Sequence, residues 1–121
     1  MVTAQPVSSR LFVRIRHSRG RIEIPFERLR TPFVLGTRGH LVLDESVLGK
    51  DIAAFVAAEH VSLEAGADET LIIRVLDKKN GTVLNGVPIQ AQARIYPHGE
   101  DVVNYLHLGP YAKIGLQLLR R

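Results

Sequence analysis

The chain has 121 residues, 45% of them apolar, and a formal net charge of +4. That is the length of one ordinary domain, with enough apolar content to fold around a core. It contains no cysteine, which excludes disulfides, zinc–thiolate sites and thiol nucleophiles, and no apolar run approaches the roughly 20 residues of a membrane helix.

The basic residues are unevenly placed. Residues 1–38 hold eight arginines against Glu23 and Glu27, a net +6, and the remaining residues sum to −2. With seven aromatic residues and no tryptophan, the core has to be built from Val, Leu, Ile and Ala. The absence of a continuous apolar stretch near Met1 argues against a secretory signal, and a soluble cytoplasmic domain is expected.

Residues 1–9 are small, polar and proline-bearing, and are expected to form a flexible lead-in to a domain over residues 10–121. Alternation of period two then begins. Leu11, Val13 and Ile15 share one side of an extended segment, and Phe12, Arg14 and Arg16 share the other. Ser18-Arg19-Gly20 supplies a turn, after which Ile22, Ile24 and Phe26 alternate with Arg21 and Glu23. This pattern predicts a β-hairpin whose arginines lie on a solvated face.

Two short strands are expected at Phe33-Val34-Leu35 and Leu41-Val42-Leu43. Over residues 51–58, Ile52, Phe55 and Val56 fall at helical spacing behind Asp51, a candidate N-cap. One or two helical turns are expected there, with those three side chains in the core. Val61 and Leu63 resume the alternation, and Leu71–Leu76 is a six-residue apolar run broken only by Arg74, which reads as a buried strand. Asn80-Gly81 and Asn85-Gly86 mark two tight turns around a very short strand at Thr82-Val83-Leu84. Further strands follow at Tyr105–Leu108 and around Ile114, Leu116 and Leu118. About ten short strands separated by Gly/Asn turns predict an all-β sandwich.

Chemistry-bearing motifs are few. The five histidines show no helical metal-site spacing, and no HExxH, GxSxG, phosphate-binding GxxxxGK or GxGxxG sequence occurs. The sequence therefore implies no enzyme activity, cofactor or metal. A nucleic-acid role would need basic side chains interleaved with aromatics on one face; Phe12 among Arg10, Arg14 and Arg16 is the one such stretch, and a solvated hairpin face explains it more simply. The densest signal is the segment Asp77–Gly86. There Lys78, Lys79 and Asn80 would present cations, amide donors and backbone N–H groups together, which suits an anion or phosphate contact.

The order Asn80-Gly81-Thr82-Val83-Leu84-Asn85-Gly86 resembles the NGT-x-(V/L)-NG signature of the forkhead-associated (FHA) domain family. Phe33-Val34-Leu35-Gly36 is similar to the strand that leads into the family's Gly-Arg pair, and Leu41-Val42-Leu43-Asp44 to its next strand. His60 matches the histidine of the family's Ser-Arg-x-His motif, and Leu106-His107-Leu108-Gly109 a strand near its end. The resemblance implies a sandwich of about eleven strands whose loops at one end bind phosphothreonine segments of partner proteins in signalling. It implies phosphopeptide contacts at Arg38, Lys79 and Asn80, with Thr37 and Lys78 beside them. Gly36, His60, Gly81, Thr82 and Asn85 would support the loops.

The chain departs from the family pattern at the phosphate contacts. Thr37 directly follows Gly36 and the arginine comes one later, Ala57 and Ala58 stand where Ser and Arg are usual, and Lys79 stands where Ser or Thr precedes the Asn. The sequence is compatible with three functions. One is a phosphothreonine-dependent module. The second is the same scaffold binding a partner without phosphate, and the third is a basic nucleic-acid-associated β domain. The sequence does not identify the partner or the oligomeric state.

Overall fold

A computed structural model describes residues 10–121, so the expected lead-in over residues 1–9 lies outside the described residues. Among the described residues, eleven strands form two sheets, joined by two single-turn α-helices and two short 3-10 helices, Phe26–Arg30 and Ala67–Glu69. The six-stranded sheet has the order β2-β1-β11-β10-β7-β8, built from β1 (Leu11–His17), β2 (Gly20–Pro25), β7 (Thr82–Leu84), β8 (Val87–Pro88), β10 (Asn104–Leu108) and β11 (Ala112–Arg120). The five-stranded sheet has the order β4-β3-β5-β6-β9, from β3 (Phe33–Gly36), β4 (Leu41–Val42), β5 (Val61–Ala65), β6 (Leu71–Val75) and β9 (Gln92–Ile95). The expected all-β sandwich is what the chain forms. Among the described residues, no helix is long and apolar enough to cross a membrane.

The two sheets bury their alternating faces against each other. Leu11, Val13 and Ile15 of β1, Ile114, Leu116 and Leu118 of β11, and Leu106 and Leu108 of β10 meet Leu35, Val61, Leu63, Leu71, Ile73 and Ile95 of the second sheet. Each fully buried aliphatic side chain contributes about 1.5–3 kcal/mol relative to exposure. β11 lies inside its sheet, with β1 on one side in the register Ile15↔Leu116 and β10 on the other in the register Leu106↔Ile114. It is this frame that fixes where the connecting loops emerge.

The first hairpin forms as the alternation predicts, with Val13 opposite Ile24 and His17 opposite Gly20. Its outer face is not uniformly solvated. Arg14 retains 7% exposure, because Nε donates to Glu23 Oε2 at 2.9 Å and Nη1 to Glu100 Oε1 at 2.7 Å. Glu100 arrives on the segment 97–103, which crosses the outer face of the sheet. Gln117 Nε2 holds that segment by donating to the carbonyls of Glu100 and Val102 at 3.1 and 3.0 Å. The cover comes from 86 residues away, beyond the reach of a local pattern.

The helical region also differs from expectation. It forms two single-turn helices, α1 (Glu45–Leu48) and α2 (Lys50–Ala53), divided by Gly49 at φ 90°. Asp44 caps α1 by accepting from the Ser46 amide at 3.0 Å, whereas Asp51 lies inside α2 and caps nothing. Val56 is buried and Ile52 half-buried, but Phe55 is exposed and meets Tyr111 edge-on, with ring centroids 5.4 Å apart.

The Arg14 bridge makes a pH-dependent contribution to stability. Its hydrogen bond to Glu100, followed by its charge, holds the Glu100 carboxyl below the usual carboxylate range. A carboxyl depressed in the folded state stabilises the fold above its unfolded pKa of about 4.3, and that contribution is lost as pH falls through the folded value. Glu100→Gln is therefore expected to lower the urea midpoint at neutral pH. The gap from the parent chain should close as the pH is taken below the carboxylate range, as followed by denaturation at a series of pH values.

Candidate functional site

At one end of the sandwich three loops are drawn together. Beyond β3, the Thr37 and Arg38 amides donate to the carbonyls of Ala57 and Ala58, both at 3.0 Å. The approach is close enough that a Cβ on Gly36 would collide with both of those carbonyl oxygens, so glycine is required there by contact with backbone. The alanine pair ends the segment that carries α1 and α2. The third loop joins β6 to β7 and includes Asp77–Gly81, with Gly81 at φ 84°.

His60 ties these loops to one another. It is fully buried and every polar group it carries has a partner. Its amide donates to Leu35 O at 2.9 Å, and its carbonyl accepts from the Leu76 and Asp77 amides at 2.9 and 3.2 Å. On the ring, Nδ1 accepts the Ala57 N–H at 3.0 Å, which leaves Nε2 as the donor to Gly81 O at 2.8 Å. A neutral imidazole with its proton on Nε2 therefore bridges the 57–60 turn to the Asn80-Gly81 turn. Gly81 O also accepts the Gly109 amide at 2.9 Å, which brings the loop between β10 and β11 to the same end.

Around this hub, Asp77 shapes the Asn80 turn. Its Oδ2 accepts the Asn80 amide at 3.2 Å and the Asn80 side-chain Nδ2 at 3.4 Å. Sequence reasoning missed this role of Asp77, although acceptor and donor three residues apart is the spacing of a side-chain-closed turn. Arg38, Lys78 and Lys79 are exposed, and none has a side-chain hydrogen bond or ion pair among the described residues. Lys78 lines a cleft of about 260 Å³ with Asp77, Gly81 and Thr82, while Arg38 and Lys79 lie outside its walls. Among the described residues, no three His, Asp or Glu side chains are grouped to hold a metal ion.

The supporting residues divide into two groups. Gly36, His60 and Gly81 are at the loop junction itself. Thr82 is buried in β7 opposite Leu108, and its Oγ1 has no partner among the described residues. Asn85 acts at the far end of β7, at φ 51°. Its Oδ1 accepts the Tyr105 amide at 2.8 Å and its Nδ2 donates to Asn104 Oδ1 at 2.9 Å, so it fixes the next turn to β10. The exposed Phe55–Tyr111 pair, beside Gly109, had no local signal in the sequence beyond two isolated aromatics.

The two-sheet sandwich thus ties its loops together at one end, with Arg38, Lys78 and Lys79 exposed on them. The chain belongs to the FHA domain family, whose sequence profile matches residues 33–103. FHA domains are protein-interaction modules. Among solved structures, it is similar to the FHA domain of the CT664 protein from Chlamydia trachomatis, at 17% identity and a TM-score of 0.63, covering 90% of this chain and 97% of that one. The FHA domain of an Arabidopsis thaliana hypothetical protein is 14% identical with a TM-score of 0.69, covering 100% and 97% of the two chains. A further FHA domain, solved in a structural and functional analysis of phosphothreonine-dependent FHA interactions, is 14% identical with a TM-score of 0.62, covering 88% of this chain and 95% of that one. These identities carry the fold alone. No curated protein sequence matches the chain.

Removing the His60 ring would strand the Ala57 N–H and the Gly81 carbonyl. A buried polar group without a partner costs about 1–3 kcal/mol. His60→Ala is expected to lower unfolding free energy by roughly 2–5 kcal/mol once the lost ring packing is added, read by urea denaturation. Amide exchange at Thr37 and Arg38 should accelerate more than exchange in β11, because the loop junction loosens before the central sheet.

Proposed function

We propose that the chain recognises a phosphothreonine-bearing segment of a protein partner at this loop end, in the manner of its phosphothreonine-dependent relative. The observation that carries the reading is the junction at His60, which brings the backbone beside Arg38, the alanine pair and the Asn80-Gly81 turn to one end. Arg38 and Lys79, with Lys78 nearby, would supply positive charge to the phosphate. Asn80, whose Oδ1 has no partner among the described residues, would hold the peptide backbone. Thr37 is half-buried, with its amide committed to Ala57, and would contribute through its hydroxyl.

A second reading, partner binding without phosphate, is favoured by Ala57. Its side chain offers no hydroxyl, its amide is taken by His60 and its carbonyl by Thr37. A missing hydrogen bond to a charged group costs about 1.5–3 kcal/mol, or roughly 10- to 100-fold in affinity. The cations can offset that by charge, although an ammonium on a flexible stem fixes geometry less well than a guanidinium fork.

The two readings separate when paired libraries of phosphorylated and unphosphorylated threonine peptides are titrated against the chain. The primary reading expects preference for the phosphorylated set, and a drop of about tenfold or more in Arg38→Ala/Lys79→Ala. Equal binding of both sets, or binding of neither, overturns it.

A further inference from the structure

β1 directs three side chains onto the outer face of the six-stranded sheet, and each meets a different environment. The Phe12 ring lies under the guanidiniums of Arg14 and Arg121, 5.6 and 4.1 Å from its centroid. Arg14 is closed off by Glu23 and Glu100. Arg16 is exposed and has no side-chain partner among the described residues. Its cross-strand neighbour in β2 is Arg21, where the preceding pair is the complementary Arg14 and Glu23. Like charges directly opposite in a sheet destabilise it. Glu100 feels the charges of Arg16 and Arg21, but its carboxylate is bonded to Arg14.

On its other side Arg16 faces Gly115 of β11, which in turn faces Tyr105 of β10. Val103 packs over Gly115, and beside it the sheet face carries a shallow groove of about 390 Å³, walled by Arg16, His17, Val103, Tyr105 and Lys113. No carboxylate lines it. Lys113 Nζ sits 4.6 Å from the Tyr105 ring centroid.

We propose that this groove is a docking surface for an acidic segment of a protein partner, whose carboxylates would meet Arg16 and Lys113 beside Gly115. Charge complementarity selects an acidic occupant: Arg16 and Lys113 both line a groove with no carboxylate in its walls, Glu100 is already bonded to Arg14, and the sheet retains an unfavourable Arg–Arg pair beside the groove. The aromatic selects protein over nucleic acid. A base would stack on the open face of a ring, and Tyr105 already carries the Lys113 ammonium.

The test is an amide chemical-shift titration of the full chain with a short synthetic Glu/Asp-rich peptide. Shifts are expected to centre on Arg16, Lys113 and Gly115, with affinity falling as salt rises. Arg16→Glu/Lys113→Glu should weaken binding about tenfold or more, and Arg38→Glu/Lys79→Glu should leave it within about twofold. Should charge reversal disturb the fold, Arg16→Gln/Lys113→Gln still has to weaken binding several-fold. The proposal is overturned by an absence of shifts at those three residues, or by an equal loss in the loop-end variant. Tighter binding of an oligothymidylate of equal charge would also overturn it.

Discussion

A single buried imidazole governs the loop end of this sandwich. His60 receives one N–H and donates another, and the two partners belong to loops that make no continuous sheet with each other. In a low-dielectric interior each such bond is strong, and its loss leaves a desolvated backbone group behind. The backbone of the same residue is fixed by β3 on one side and the exit of β6 on the other. The relative height of the Thr37-Arg38, Ala57-Ala58 and Asn80-Gly81 backbones therefore follows from one side chain and the strands around it. Loops held this way lose little conformational freedom when a partner binds, which is how a shallow surface reaches useful affinity.

The same arrangement explains why the hub is neutral and the cations lie outside it. A buried charge without a counter-ion would be costly, and the ring avoids that cost by using one nitrogen as acceptor and one as donor. Arg38, Lys78 and Lys79 remain in water, on backbone that the buried network positions. Positive charge at this end is thus adjustable by substitution without disturbing the core. Gly36 and His60 lack that freedom, since the first has no room for a Cβ and the second has no spare hydrogen-bonding group.

Much of this was legible in the sequence, for identifiable reasons. Strict alternation at Leu11–Ile15 and Ile114–Leu118 reports faces buried between sheets, and Asn-Gly pairs report turns that need positive φ, as Gly81, Asn85 and Gly86 show. The segment 97–103 and strand β9 were not legible. Neither has an apolar period of its own, because each is placed by what it covers or pairs with: Gln117 for the first, β6 for the second. Arg14 reads as a solvated arginine for the same reason, since its second carboxylate lies far along the chain. A local reading found helical turns near α2 but missed α1 and the boundaries, because Gly49 divides the two helices and Asp44, not Asp51, provides the cap. At the site, residue types and order were visible in the NGT segment, but the function of Asp77 depends on turn closure that only the fold displays.

The departures from the family pattern fall on one kind of residue. Positions that shape the loops, Gly36, His60 and the Asn80-Gly81 turn, are kept, while a hydroxyl that would touch phosphate is replaced by the methyl of Ala57. A lysine occupies the place before Asn80 where Ser or Thr is usual, so charge is added where directed hydrogen bonding is reduced. Bidentate and hydroxyl donors read the tetrahedral arrangement of phosphate oxygens, whereas an ammonium reads mainly the sign and density of charge. On the proposed function, the balance at this loop end shifts from shape towards electrostatics. Such recognition depends more steeply on ionic strength than a site built on directed donors, because exposed charges are screened over about 8 Å at physiological salt. The scaffold need not change for this shift to occur, because the hydrogen bonds that fix the loops and the groups that face a ligand are carried by different atoms.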